Sequence, residues 1–378
     1  MNRLHSVILN ILSIATFIAI ASGLGACASP ENKSAEKKVQ VRTDCPELNS
    51  DCFQTLQAAI DAADTLPVEQ RYTIHLRKND YREKVRIDRD NIQLIAEPGT
   101  RLVNTLVAAH ARAYHRDNWG TAGSATLTIN AENIAVRNLI IENDFDYLNN
   151  DARDKNDPQR IKDSQAVALL LDISSDKVVL DNVELIAYQD TLFANGKRAY
   201  ITNSKISGNV DFIFGNGQLL IENSEIIART RGRKLKAGEF YGHITAPSTS
   251  IKNSIGIVFL NSRLTREKNV PDHSYSLGRP WHPTTTFPDG RYADPEAIGY
   301  TAYINCYMDK HIVPQAWTSM RGTARDGSKT RVFTPEESRF FESGSYGPGA
   351  YRENNRGKTI EVNQKELRDQ FLKGWVRI

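Results

Sequence analysis

Two aspartates stand out because each sits in an apolar or amide-rich stretch. One lies in Tyr188-Gln189-Asp190-Thr191-Leu192-Phe193, the other in Gly208-Asn209-Val210-Asp211-Phe212-Ile213-Phe214-Gly215. Their separation is 211 − 190 = 21 residues. Two carboxylates held close push their pKa values apart, so that one stays ionised while the other keeps a proton. Such a pair can divide nucleophilic and acid–base work between its members. Gln165 precedes Gln189 by 24 residues, which places a further amide near the same spot if the chain repeats at about that period. Leu277-Gly278-Arg279-Pro280-Trp281 adds an arginine in a rigid setting. It is suited to pair with a carboxylate and keep it ionised, and the indole offers a flat face to a sugar ring. Taken singly, each has a bland reading: Asp211 as a turn carboxylate held by backbone N–H groups, Arg279 as a surface cation, Trp281 as packing.

Other catalytic arrangements are missing. The sequence has no Gly-x-Ser-x-Gly elbow, no His-Glu-x-x-His helix and no Walker loop. Its 8 histidines show no metal-ligand spacing, and Cys306 has no evident activating partner. A serine hydrolase or metalloenzyme is unsupported.

The elements that must position these residues form a ladder. Short apolar segments recur around Asn138, Asn182, Asn203, Asn223, Asn261 and Asn305, at steps of 44, 21, 20, 38 and 44. A step near 21, or about twice that, fits one or two turns of a solenoid. Val and Ile alternate with polar residues, so the unit is strand. A rung cannot bury its apolar face alone, and stacking supplies a continuous core. An Asn at each bend is expected to bond its neighbours above and below. The expected fold is therefore all-β, a parallel β-helix, with a β-sandwich as the weaker alternative. On it, 21 residues put Asp190 and Asp211 on the same face of adjacent rungs, about 4.8 Å apart. Apolar spacing at 53, 56, 59/60 and 63 predicts a capping helix, and Lys365–Leu372 a weaker one. Segments 144–164, 229–254 and 266–300 are too long for turns and are expected to build walls round the site.

Taken in order, Gln165-Ala-Val-Ala-Leu, Gln189-Asp190-Thr-Leu, Gly208-Asn-Val-Asp211-Phe-Ile-Phe-Gly215 and Leu277-Gly-Arg279-Pro-Trp281 resemble the motifs of the pectin methylesterase (pectinesterase) family. Asn79–Lys84, Gly120–Leu127 and 242–249 are similar to further family segments, so the resemblance spans roughly residues 50–350. It implies a right-handed parallel β-helix. It also implies hydrolysis of galacturonate methyl esters in pectin or methylated oligogalacturonides, releasing methanol. Residue by residue, it makes Asp211 the nucleophile, Asp190 the general acid/base and Gln165 and Gln189 the oxyanion amides. Arg279 becomes the partner that orients Asp211, and Trp281, Phe214 and Thr121 become substrate contacts. It implies no metal or organic cofactor, no nucleic-acid partner and a monomer. Phe193 departs from the Tyr that many relatives carry. Lyases and polygalacturonases share the solenoid, but no calcium-type carboxylate cluster, Asp-Asp pair or Gly-His-Gly is present, and Arg160-Ile-Lys162 alone matches a galacturonase tripeptide. An acyl-thioesterase and a non-catalytic polysaccharide-binding lipoprotein are the alternatives on the same fold.

The 378 residues carry 48 basic and 45 acidic groups, too balanced for a dedicated nucleic-acid binder. A mean hydropathy of −0.46 excludes a polytopic membrane protein. Four cysteines are too few for a disulfide scaffold. From Leu4 to Pro30 there is no charged Asp, Glu, Lys or Arg, and the apolar run ends in Leu24-Gly25-Ala26-Cys27. Residues 1–26 read as an export signal. Cys27 resembles a lipobox cysteine, and Ala28 after it leans towards the outer membrane, facing the periplasm or the cell surface. The alternative is an uncleaved anchor. Residues 27–42 are expected to be the lipidated end of a flexible tether, and 43–378 a single domain. Cys45 and Cys52 either close a local disulfide or remain thiols, and Cys306 is expected in the core.

Overall fold

The computed structural model describes residues 36–46, 51–236, 238–350 and 358–375. The export signal and Cys27 lie outside the described residues. The chain winds as a right-handed parallel β-helix, the hand taken by nearly all parallel crossovers. One face is a seven-stranded sheet. Its strands, in stacking order, are Val85–Ile87, Leu127–Ile129, Leu169–Leu171, Leu192–Ala194, Val210–Gly215, Gly242–Pro247 and Tyr275–Gly278, all parallel. A larger sheet of seventeen strands closes the coil.

Side chains stack in register inside the coil. Leu180 lies over Ile201, then Ile221, Phe259 and Tyr303. Leu185 lies over Ile206, Ile226, Leu264 and Met308. All ten are fully buried, each stabilising the fold by about 1.5–3 kcal/mol relative to exposure. The 0% exposed Tyr303 stacks flat on Phe259 at 4.4 Å.

The six asparagines do mark the bends, for a different reason than an amide ladder. Asn138, Asn182, Asn203, Asn223, Asn261 and Asn305 all have φ between 50° and 59°. Asn tolerates this left-handed region better than other residues with a Cβ. Among the described residues only Asn182 donates to another member of the series, Asn138, at 2.8 Å. The ladder sits one residue later and is built of hydroxyls. Ser204 Oγ accepts from Val183 N, Ser224 Oγ from Ser204 N and Ser262 Oγ from Ser224 N, at 3.1–3.2 Å. Cys306 occupies the next place in that file, fully buried, with its thiol towards the Phe259 and Ile304 carbonyls. Burial pushes that thiol up to about 12, so it acts as a packing group.

Every step is one turn. Strands Gln218–Glu222 and Ile257–Leu260 pair directly, as do Ile257–Leu260 and Tyr300–Ile304. Steps of 38 and 44 therefore arise from long excursions within single turns. Two of the segments expected to be walls also supply rungs: 229–254 contains Gly242–Pro247 and 266–300 contains Tyr275–Gly278.

The helix Leu56–Ala62 caps the N-terminal end as expected, with Leu56, Ala59 and Ile60 buried. Thr55 Oγ1 accepts from Ala58 N, and the distant Glu83 carboxylate accepts from the Leu56 and Gln57 N–H groups. The other helix, Gln364–Leu372, is no end cap. Leu367 and Phe371 cover an outer face of the large sheet, against Leu220, Val258 and Ala302. These alternate with the inward residues and would otherwise leave an apolar patch in water. The tether boundary also shifts. Lys37–Val41 is a strand paired in parallel with Tyr72–Leu76, with Val39 and Val41 buried. Cys45 and Cys52 are disulfide-bonded beside it.

Candidate active site

Register brings the two aspartates together. Leu192 pairs with Ile213 and Phe193 with Phe214, so 21 residues make one turn. Asp190 N donates to Val210 O across the rungs. Asp190 and Asp211 have φ of 67° and 51°, a left-handed conformation that Asp adopts more readily than bulkier side chains. At Asp211 the register also shifts, between Val210 and Ile213. Such an irregularity re-aims side chains next to functional sites. Both residues are nearly buried, Asp190 at 8% exposure and Asp211 at 9%.

Arg279 reaches Asp211 from two rungs away. It follows the strand Tyr275–Gly278, and its N–H donates to Thr245 O on the intervening rung. Nε donates to Asp211 Oδ1 at 2.8 Å and Nη2 to Oδ2 at 2.6 Å, a bidentate pair. Gly278 permits the close approach, since a Cβ there would lie 2.2 Å from Thr245 Oγ1. Burial works against the Arg279 charge, but the Asp211 carboxylate outweighs it and raises the pKa. Asp190 behaves oppositely. Burial above all, then the Asp211 charge, pushes its carboxyl well above the usual range, with only Arg279 opposing. The site thus pairs one carboxylate with arginine through two bonds and holds beside it a carboxyl whose pKa is raised.

The two glutamines lie on adjacent turns. Ala166 N donates to Gln189 O, linking the Gln165 and Gln189 backbones on adjacent turns. Gln189 Oε1 accepts from Ser164 Oγ at 3.4 Å, which leaves its NH2 free of that contact. Gln165 Oε1 is buried without a partner. Amide O and N are interchangeable in assignment, and with nitrogen at that position Gln165 presents a donor for an anionic oxygen.

An aromatic cluster lies alongside. Phe214 stacks on the buried Phe193 at 4.3 Å, and Trp281 meets Phe214 edge-on at 5.6 Å. Phe214 is only 4% exposed, so it supports Trp281 more than it faces a ligand, and Trp281 is the half-buried member. Thr121 lies in the short helix Gly120–Gly123, half-buried, beside Ala122 of the same cluster. Phe193 has no exposed surface, so its lack of the tyrosine hydroxyl is a matter of packing.

Sequence reasoning missed three participants. Trp119 packs edge-on against Phe193 at 5.0 Å and lies 6.5 Å from Trp281. Its signal was its place directly before Gly120. His243 sits on the rung between Asp211 and Arg279, its Nδ1 2.8 Å from Ser276 Oγ. Burial, then the Arg279 charge, pushes it down to about 3, so it is a neutral neighbour of the ion pair. Tyr188, directly before Gln189, stacks on Tyr147 at 5.2 Å and carries Arg229 over its other side at 3.7 Å. Tyr147 belongs to the wall segment 144–164, which Asp151 locks to its neighbour through a bidentate pair with Arg231 and the N–H groups of Gly232 and Arg233. Arg160-Ile-Lys162 lies in that wall, with Arg160 donating to Arg153 O. Among the described residues no group of three or more His, Cys, Asp or Glu is placed to hold a metal ion.

The sequence profile described as pectinesterase matches residues 45–354. Pectinesterase A of Dickeya dadantii (strain 3937) is 43% identical over 319 residues, covering 84% of this chain and 84% of the relative. A pectin methylesterase solved in complex with hexasaccharide VII superposes with a TM-score of 0.81 at 39% identity, over 91% of this chain and 99% of that one. The pectin methylesterase from Yersinia enterocolitica gives 0.77 at 41% identity, over 86% of this chain and 100% of that one. The matched span contains both aspartates and the arginine two rungs away, and the chain belongs to the pectinesterase family.

Proposed function

We propose that the chain is a pectin methylesterase that hydrolyses methyl esters of galacturonate units through an Asp211 nucleophile and an Asp190 acid/base. The observation that carries the division of labour is the Asp211–Arg279 bidentate pair beside a nearly buried Asp190, whose pKa burial and the Asp211 charge raise. An Asp211 oxygen attacks the ester carbonyl, and the carbonyl π electrons move onto its oxygen. The Gln165 and Gln189 amides stabilise that oxyanion. Collapse re-forms the carbonyl and breaks the bond to methoxide, which leaves as methanol with the Asp190 proton. The resulting anhydride between Asp211 and galacturonate is then attacked by water. Asp190, now ionised, takes the water proton, and cleavage returns Asp211 as a carboxylate and frees the galacturonate acid. Arg279 holds Asp211 in position for both steps. Trp281 offers its face to the sugar ring, with Phe214 packed edge-on against it, and Thr121 is a further substrate contact.

The substrate is pectin or methylated oligogalacturonide. The relative solved with a hexasaccharide supports an oligosaccharide-sized cleft. The proposal includes a lipid anchor at Cys27 and outer-membrane residence, supported by the apolar run and small residues before that cysteine. Methanol release is measured from highly methylated pectin, from methylated oligogalacturonides and, in parallel, thiol release from acyl-thioesters. Methanol from either uronate substrate, with inert thioesters, is the expected result. Thiol release alone identifies an acyl-thioesterase, and saccharide binding without any product identifies a binding protein.

A further inference from the structure

Beyond Trp281 two antiparallel ribbons leave the solenoid, one before and one after the rung Tyr300–Ile304. One pairs Thr284–Phe287 with Gly290–Ala293, the other Met320–Gly322 with Arg331–Phe333. They are joined by the Ala293 N–H to Thr323 O bond and by a 2.7 Å contact between the Thr284 and Thr323 hydroxyls. Together they bracket a cavity of about 340 Å³, at the lower end of the size range of small-ligand sites. The described chemistry uses no residue that lines it.

The lining has the groups an acidic sugar needs. His282 stacks flat on Phe333 at 3.6 Å, and Nδ1 lies 2.7 Å from Asp294 O. That carbonyl requires the proton on Nδ1 and leaves Nε2 as an acceptor for a sugar hydroxyl. Thr323 also lines it, its hydroxyl accepting from Lys329 Nζ at 2.6 Å, and the Tyr292 ring, stacked on Phe287 at 4.7 Å, carries Arg325 at 4.4 Å and so holds that guanidinium at the cavity. Arg325 and Arg331 supply two cationic forks. Arg331 lies over the Phe333 ring at 5.1 Å. The carboxylate partners of the two arginines are the exposed Asp289 and Glu337, the latter also in the lining and accepting from Thr334 N, and exposed ion pairs are weak enough to exchange for a ligand carboxylate. Bidentate arginine–carboxylate pairing is the geometry such a ligand would find.

We propose that this cavity is a second saccharide site that takes one unesterified galacturonate residue, separate from the catalytic cleft and joined to it by the Trp281–His282 peptide. The inference rests on the reading of the substrate as a polyuronate. Each catalytic turnover makes one such carboxylate, so the cavity is suited to hold the product end of a chain whose ester end lies at Asp211.

The test uses Asp211→Asn protein, which binds without turnover, titrated with unesterified trigalacturonate and with its fully methylated counterpart by calorimetry. Two backgrounds alter only the cavity: Arg325→Gln with Arg331→Gln, and Ala324→Phe, which fills it. A third, Trp281→Ala, alters the cleft. Two binding events are expected for trigalacturonate. The double arginine variant weakens one of them at least about tenfold, as expected for loss of charge-assisted bonds, and Ala324→Phe removes it. Trp281→Ala weakens the other. Methylated trimer is expected to bind the cavity at least about tenfold more weakly. A single event lost in Trp281→Ala, two events that both survive the cavity variants, or equal cavity affinity for the methylated trimer would overturn the proposal. Methanol release by the wild type is scored separately. If it occurs and the cavity variants bind normally, only the second site falls; if it does not occur, the functional reading falls first.

Discussion

Arg279→Gln is the substitution whose consequences the structure fixes most closely. The Arg279 side chain is 23% exposed and the Asp211 side chain 12%, so their two bonds are only slightly screened by water. Bonds to charged groups contribute about 1.5–3 kcal/mol each. Removing one partner of a buried pair costs about 3–5 kcal/mol, because the other charge is stranded. Here the stranded charge would be Asp211, facing Asp190 across one rung. If about 3 kcal/mol of that loss falls on the transition state, kcat drops on the order of a hundredfold. Arg279→Lys keeps a charge but loses the fork and is expected to fall between, roughly tenfold below wild type. The assay is methanol release under saturating substrate, with urea midpoints read alongside. Arg279→Gln protein that unfolds at the wild-type midpoint and retains activity within about threefold would refute the role assigned to the pair.

Asp190→Asn tests the proton balance. Its folded pKa is raised by burial and by Asp211, so the folded protein holds a proton that the unfolded chain gives up near pH 3.9. That stability is fully present below about pH 3.9 and is lost as pH rises through the folded value. The variant, which has no proton to lose, is expected to be inactive and to gain in Tm over wild type as pH rises above about 4. A difference that stays flat with pH would contradict the assignment. Replacing Cys45 and Cys52 by Ser opens a loop of seven-residue separation. By chain entropy this costs about 2–3 kcal/mol, and the drop is checked by thermal unfolding without reductant. Cys27→Ser is expected to move the protein from the membrane to the soluble fraction, and unchanged fractionation would favour an uncleaved anchor.

The parts legible in the sequence were those set by local period. A 21-residue step fixed Asp190 and Asp211 on adjacent rungs because a rung is a repeat unit. Val39 and Val41 carried the same signal of alternation, but the lysines beside them and the polar run before them masked an edge strand as tether. Arg279 is 68 residues from Asp211, and no periodicity links them. Only the resemblance paired them before the register of three successive strands did. The C-terminal helix shows why amphipathicity is incomplete information. It tells which residues are buried, Leu367 and Phe371, and not which surface receives them. The bends were located correctly by Asn, while the hydrogen bonds belonged to the serines that follow. A backbone turn and its ladder are separate requirements, met here by neighbouring residues. Trp119 and His243 escaped because a lone aromatic or histidine has no partner in sequence, only in register.

The most direct test of the central claim is the rate of methanol release from highly methylated pectin by wild-type and Asp211→Asn protein, with matched β-rich circular dichroism. Loss of the nucleophile is expected to lower kcat by at least about a thousandfold with the fold intact. Activity of the folded variant within tenfold of wild type would contradict a covalent route through Asp211.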